Sequence, residues 1–364
     1  MSAIEYAKLC CDTMIRKFEA KDLPPVSRFH YHAGVFLSGM ERCYLQCREE
    51  TYNEYIKSYL DAYVDGDGNL HHANFEEFDD LQPCTLMYRF YNNEPRYKKV
   101  LDKIVPLFLK WNTNPLGGLW HKDSCPNQMW LDSLYMNGPL GLRYGLLTNQ
   151  NEYIKLIHTQ LKLMWDYMRD DKTGLLYHAW DYDKKESWAN SETGCSSQIW
   201  GRALGWYIVA SVDLSEFLND NPLAGDFTSY AQQLVKSVLK FQDEKTGMWY
   251  QVVDRIDDPK NWIETSCSCL FLYGICNLLR RGLIDQKYMA SADKAYNGII
   301  QKKTHMRDND LIISDICIGT GVGDYNFYLN RPTTENDLHG TGAFLLMCTE
   351  YEKLKNQMNN SKCE

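Results

Sequence analysis

Apolar residues return at three- and four-residue intervals through almost the whole chain, and no other feature narrows its fold so far. In Asn151–Met168 the residues Ile154, Ile157, Leu161, Met164, Trp165 and Met168 form one stripe. That is the pattern of an amphipathic helix resting on a core. Comparable segments predict helices at Ile4–Phe18, Val35–Cys47, Glu50–Tyr63, Thr85–Tyr91, Pro95–Lys110, Leu131–Leu147, Ile199–Phe217, Tyr230–Phe241, Glu264–Arg280, Tyr288–Ile300 and Leu338–Glu352. Alternating apolar and polar residues are scarce, so any strands are expected to be short. About a dozen helices with no Pro- or Gly-rich break between them describe one all-α domain over residues 1–364.

A faint internal echo gives these helices an order. Asp171-Lys-Thr-Gly-Leu-Leu-Tyr177 is repeated as Glu244-Lys-Thr-Gly-Met-Trp-Tyr250, with Gly174 and Gly247 lying 73 residues apart. Gly118-Leu-Trp120 is a shorter version of the same turn. The period is too long for the small helical solenoids and suits helix hairpins set around a ring. The expected architecture is an (α/α)6 barrel whose inner helices enclose a deep cleft.

One stretch stands out for chemistry. In Asn127–Gly138 a single carboxylate, Asp132, lies among Met129, Trp130, Leu131, Leu134, Tyr135 and Met136. An apolar wall disfavours the charged form, so the pKa is expected to rise towards that of a general acid. The same residue could equally be an N-cap with Tyr135 and Met136 as core. Other loops pair an aromatic residue with a His, Asp, Lys or Arg: Arg28–Gly34, Phe78–Pro83, Gly118–Lys122, Leu176–Trp180 and Trp200–Trp206. Loops carry function more often than elements do.

Composition removes several alternatives. A net charge of −9 argues against nucleic acid, which requires a basic face. No run of about 18 apolar residues is present, so no membrane span is expected. Met1–Lys21 has no basic segment leading into an apolar run, so a cytoplasmic protein is expected. The 13 cysteines contain no CxxC pair and read as reduced, mostly buried thiols. No metal-ligand spacing is evident, and neither metal nor cofactor is expected. Gly319-Thr-Gly-Val-Gly323 follows no convincing strand and reads as a turn rather than a dinucleotide loop. Aromatic residues make up 13% of the chain, which suits a cleft that stacks flat faces on sugar rings as well as it suits core filling.

With these residues in view, the chain resembles the unsaturated rhamnogalacturonyl hydrolases of glycoside hydrolase family 105, relatives of the unsaturated glucuronyl hydrolases. The matching stretches are Leu119-Trp-His-Lys122, Pro126–Met136, Tyr177-His-Ala-Trp-Asp181, Trp200-Gly-Arg-Ala-Leu-Gly-Trp-Tyr207 and His339-Gly-Thr-Gly-Ala-Phe344. The resemblance implies an (α/α)6 barrel and an oligosaccharide substrate that ends in a 4-deoxy-4,5-unsaturated uronic acid. It implies hydration of the C4=C5 bond: an acid protonates C4, water adds at C5, and the resulting hemiketal opens to release the aglycone. It places the acid at Asp132 and a second carboxylate at Asp79, next to Asp80. It implies that Asp79 raises the pKa of Asp132 further. His121, Lys122, His178 and Arg202 match the family's polar lining, with Arg202 able to hold the substrate carboxylate. Tyr31, Trp130, Trp200 and Trp206 match the aromatic lining, whose indoles would stack on the planar ring. Two other readings are an ordinary glycosidase using Asp79 and Asp132 as its carboxylate pair, and a binding barrel that has lost catalysis.

Overall fold

The computed structural model describes residues 1–360. Its helices are α1 (Ala3–Lys17), α2 (Tyr31–Cys47), α3 (Glu50–Tyr63), α4 (Pro95–Ile104), α5 (Asp132–Thr148), α6 (Asn151–Met168), α7 (Gly201–Leu218), α8 (Ala224–Val238), α9 (Thr265–Arg280), α10 (Met289–Lys303), α11 (Tyr325–Leu329) and α12 (Leu338–Asn360). Local signals set several of these boundaries. Ser2 and Glu5 form a reciprocal capping box on α1, and α2 ends on Arg48 in the left-handed conformation.

The helices form the expected (α/α)6 barrel. α2, the 3-10 helix Gln82–Phe90, α5, α7, α9 and α12 pack side by side in an inner ring, and α12 closes against α2. α1, α3, α4, α6, α8 and α10 lie outside them. One inner member departs from expectation, because the helix predicted at Thr85–Tyr91 is a 3-10 helix throughout. Pro83 removes a backbone donor at its start. α2 also presses on it at Gly34, where an added Cβ would lie 1.9 Å from Gln82 Oε1. The predicted helices at Pro95–Lys110 and Tyr230–Phe241 likewise finish in 3-10 turns, at Val105–Lys110 and Leu239–Phe241.

The repeated sequence folds as one repeated turn. Asp170 Oδ2 accepts from the Thr173 N–H and Oγ1 at 2.9 and 2.6 Å, and Asp243 Oδ2 does the same for Thr246 at 2.7 and 2.7 Å. Gly174 and Gly247 both take φ +74°, which only glycine adopts cheaply. Each turn hands the chain from an outer helix to an inner one.

Every inner helix begins at the same rim, so the loops that precede them gather there. Short antiparallel pairs hold those loops: β1 (Gln128–Trp130) with β2 (Ala179–Asp181), β3 (Thr304–Arg307) with β4 (Asp310–Ile313), and β5 (Ile316–Cys317) with β6 (Thr333–Thr334). The opposite end is braced by charge. Arg42 meets Asp213 at 2.5 Å, and the Tyr273 hydroxyl donates to Asp213 from 2.5 Å. Arg280 joins Glu216 and Glu350, each at 2.6 Å. Arg42 and Asp213 also line a cavity of about 220 Å³. The cysteines among the described residues are all free thiols, and no described helix is long and apolar enough to cross a membrane.

Candidate active site

Asp132 is the first residue of α5, and the preceding residue, Leu131, makes no side-chain cap. The capping role is therefore excluded. β1 runs directly into α5, and its partner β2 follows His178. The Leu131 N–H donates to the His178 carbonyl at 3.0 Å, locking the two segments together. This places His178 Nε2 3.2 Å from Asp132 Oδ2. His178 is fully buried, and its Nδ1 lies 2.7 Å from the Tyr328 hydroxyl. The same hydroxyl accepts the Gly323 N–H at 3.3 Å, and the acceptor-only carboxylate facing Nε2 sets the tautomer, with Tyr328 donating to Nδ1. The remaining imidazole proton then sits on Nε2 and faces the carboxylate.

The electrostatics reverse one expectation. Burial pushes the Asp132 carboxyl up, but His178, with its Nε2 3.2 Å from Oδ2, outweighs it, and the pKa is lowered. The raised group is Asp79. Burial, then the charges of Glu77 and Asp132, push it up to about 7 against the pull of Lys122. Near neutrality Asp79 therefore carries a proton about half the time, while Asp132 is ionised. Asp80 is engaged elsewhere, bound by Arg28 at 3.0 Å and by the Asn74 N–H at 2.8 Å. It anchors the loop that presents Asp79.

The other expected residues divide into two groups. Trp130 is half-buried, with His121 stacked on it at 4.3 Å and Lys122 Nζ 5.4 Å from its centre. His121 is held by Ser133 Oγ at 2.8 Å, and burial lowers its pKa to about 3, so it is neutral. Tyr31, at the start of α2, lies within electrostatic reach of Asp79, Arg202 and Asp132. Trp200 and Trp206 do not present faces to a sugar. Trp200 is buried between His178 at 4.6 Å and the Arg202 guanidinium at 4.4 Å. Trp206 lies one turn deeper along α7, packed on Tyr135 at 4.5 Å. Arg202 is not a free clamp either. Its Nη1 and Nη2 donate to the Cys317 and Ile318 carbonyls at 2.6 and 2.7 Å, so its fork is spent on the loop after β5. Of the two cations expected to meet the substrate, this leaves Lys122 at the cleft.

Several contributors have no signal in sequence spacing. Tyr328 reaches His178 across 150 residues. Glu264, fully buried at the start of α9, accepts the Cys317 N–H at 2.9 Å. Arg331 holds the Gly319 carbonyl and Thr320 Oγ1. Together with Arg202 they fix the irregular loop Ile318–Gly323, which contains Gly319–Gly323, the segment read from sequence as a turn. A Cβ on its Gly321 would touch Trp130 at 3.8 Å. Three buried polar atoms at this centre lack an aligned hydrogen-bond partner in the protein: Asp132 Oδ2 and His178 Nε2, which lie 3.2 Å apart, and Trp200 Nε1. Natural proteins leave few such groups, and those that remain concentrate where ligands bind.

The chain is similar throughout its length to proteins that cut glycosides. A glycoside hydrolase of family 105 from C. acetobutylicum superposes with a TM-score of 0.90 at 29% identity, over 95% of this chain and 99% of that one. A possible member of the same family from Salmonella enterica gives 0.78 at 26%, over 91% and 84%. The unsaturated rhamnogalacturonyl hydrolase YesR of Bacillus subtilis is 28% identical over 201 residues, 54% of this chain and 52% of that protein. The family model described as Glycosyl Hydrolase Family 88 matches residues 6–355, nearly all of the barrel. The chain is a glycoside hydrolase and belongs to glycosyl hydrolase family 88.

Proposed function

We propose that this enzyme removes a 4,5-unsaturated uronic acid from the non-reducing end of lyase-generated oligosaccharides, with rhamnogalacturonan fragments as substrates. The observation that carries the reading is the buried Asp132–His178 pair, whose facing atoms are left for a substrate beside a raised carboxyl at Asp79. Proton addition to C4 of an enol ether requires an acid. Water addition at C5 requires a base, and one carboxyl can serve as each in turn.

Free Asp132 is ionised, so the proton must reach it. The substrate's own carboxylate supplies the means, since a like charge brought into the site pushes both carboxyls up. The proton held by Asp79 then passes to Asp132, which delivers it to C4. Asp132, ionised again, draws a proton from the water that adds at C5. His178 fixes its orientation, and Lys122 offers the charge that meets the uronate. The similarity to YesR supports rhamnose as the next sugar.

The test follows the ultraviolet absorbance of the conjugated C4=C5–carboxylate on lyase products of several pectins. Absorbance is expected to fall on rhamnogalacturonan products and not on saturated glycosides. In heavy water one deuterium should enter C4, and labelled solvent oxygen should enter C5. A product unlabelled at C4, with solvent oxygen on the anomeric carbon, would replace hydration by ordinary glycosidic cleavage.

A further inference from the structure

Beside Tyr31 lies a second cluster that the proposed chemistry does not use. His32 stands in the first turn of α2, Asp337 just before α12, and His339 in its first turn. Asp337 Oδ1 is 2.7 Å from His339 Nδ1 and 3.6 Å from His32 Nε2, and one donor atom from each residue lies within 4.8 Å of the others.

The neighbours settle where the imidazole protons are. His339 Nε2 lies 3.0 Å from the Cys317 carbonyl, which can only accept, so Nε2 carries the proton. His30 Nδ1 accepts the His32 backbone N–H at 3.5 Å and lies 2.9 Å from His32 Nδ1. His30 is therefore the acceptor, and His32 carries its proton on Nδ1. In the neutral rings His32 Nε2 and His339 Nδ1 are left as bare lone pairs aimed at a carboxylate oxygen. Three lone pairs repel unless a cation lies among them. His339 Nδ1 is buried, and despite its 2.7 Å approach to Asp337 it has no aligned hydrogen-bond partner.

We propose that His32 Nε2, Asp337 Oδ1 and His339 Nδ1 bind one borderline divalent metal ion, for which two imidazoles and a carboxylate favour Zn²⁺. The protonated Nε2 of His339 on a backbone carbonyl is the outer-shell bond that metal-bound histidines make. His339 is fully buried, whereas His32 and Asp337 open onto a cavity of about 400 Å³ between Pro24, Pro25 and Glu335. That cavity gives the ion an entry path and a fourth, solvent-derived ligand. The ion would tie the start of α2 to the start of α12. Spacing in the sequence could not reveal such a site, because its ligands come from opposite ends of the chain.

The full chain, stripped with a chelator and desalted, is titrated with Zn²⁺ by calorimetry, and its metal content is measured after a second desalting. One equivalent per chain and a higher Tm with Zn²⁺ are expected. His32→Ala and Asp337→Asn should each weaken binding by at least about 10–100-fold, the loss that follows even from an outer-shell change, and abolish the Tm shift. Both sites are partly open, so these variants are expected to keep the wild-type circular dichroism where the buried His339→Ala could misfold. Wild-type protein that retains no more Zn²⁺ than the variants overturns the site and leaves an imidazolium–carboxylate pair. Co²⁺ substitution that yields a thiolate charge-transfer band would place the ion on cysteines and overturn it equally.

Discussion

The two ends of this barrel are built from the same six inner helices and treat charge in opposite ways. At the far end Asp213 has Arg42 and Tyr273 within 2.5 Å, and Arg280 is shared by Glu216 and Glu350. None of those charged atoms is buried without a partner. At the rim where the helices start, Asp132 and His178 face each other at 3.2 Å with Oδ2 and Nε2 unsatisfied. Arg202 and Asp213 both lie on α7, 11 residues and roughly 16 Å apart, so a single helix serves both purposes. A satisfied buried ion pair resists rearrangement. An unsatisfied one costs stability and is free to meet a substrate.

Substitutions at the two ends should therefore separate cleanly. Asp132→Asn keeps the shape and removes the transferable proton, so kcat should fall by at least about 10²–10⁴, the usual worth of general acid–base catalysis. Its Tm should fall slightly at pH 7, since the lowered pKa means that folding favours the ionised carboxyl. Near-normal turnover in the ultraviolet assay would reduce Asp132 to a structural acid and erase the contrast. Asp213→Ala should do the reverse. It removes the partner of Arg42, whose side chain is 22% exposed, and should cost about 1–3 kcal/mol in denaturant unfolding, with unchanged kcat in the fraction that stays folded.

Asp79 sharpens the comparison through pH. Its folded pKa is about 7, whereas an unfolded Asp titrates near about 3.9. Between those values the folded state binds more protons, so its contribution to stability is complete below about pH 4 and is lost as pH rises through about 7. Asp79→Asn should accordingly raise Tm at pH 8 relative to wild type and lose that advantage at pH 4. Activity of the wild type should fall above about pH 7 as Asp79 deprotonates. An identical Tm difference at both pH values would show that folding does not shift the Asp79 pKa.

A smaller effect is expected at Arg202. Arg202→Lys keeps the charge but cannot serve both carbonyls, so about 1.5–3 kcal/mol should be lost with one charged hydrogen bond. KM should rise more than kcat falls, because the loop that roofs Trp130 is loosened while Asp132 is untouched. The smallest change concerns the repeated turn, which contacts neither charge cluster directly. Gly174→Ala puts a Cβ at φ +74° and 2.6 Å from Ser237 Oγ, for about 1–2 kcal/mol, with kinetics unaltered.

What the sequence revealed follows from where the information lies. The stripe over Asn151–Met168 matches α6 end to end, because an outer helix buries one face and exposes the other. The inner member at Gln82–Phe90 hid its 3-10 geometry, since its conformation is imposed by Pro83 and by the approach of Gly34 from another helix. Asp132 was conspicuous as a carboxylate among apolar neighbours. Its lowered pKa was not, because His178 arrives through a strand pairing 46 residues away. Trp200, Trp206 and Arg202 share one motif, yet only the folded chain shows the guanidinium holding a loop 115 residues on and both indoles buried. The echo of Gly174 and Gly247 was legible, while the aspartates that make the turn, Asp170 and Asp243, lie one residue before the stretch that drew notice.

The seam where α12 meets α1 and α2 has a consequence for synthesis. The amides of Ala3 and Ile4 donate to the Glu352 carboxylate at 3.0 and 3.2 Å, and α12 shares its broadest surfaces with α2 and α9. At about 5–20 residues per second a ribosome needs roughly 20–70 s to make about 350 residues. Throughout that interval the first hairpin waits with an apolar flank uncovered. Nascent chains stalled before α12 should therefore recruit chaperones and be cut readily by protease. Those carrying α12 should become resistant in one step along the whole ring, since the last stave of a closed ring is the one that makes the others fast.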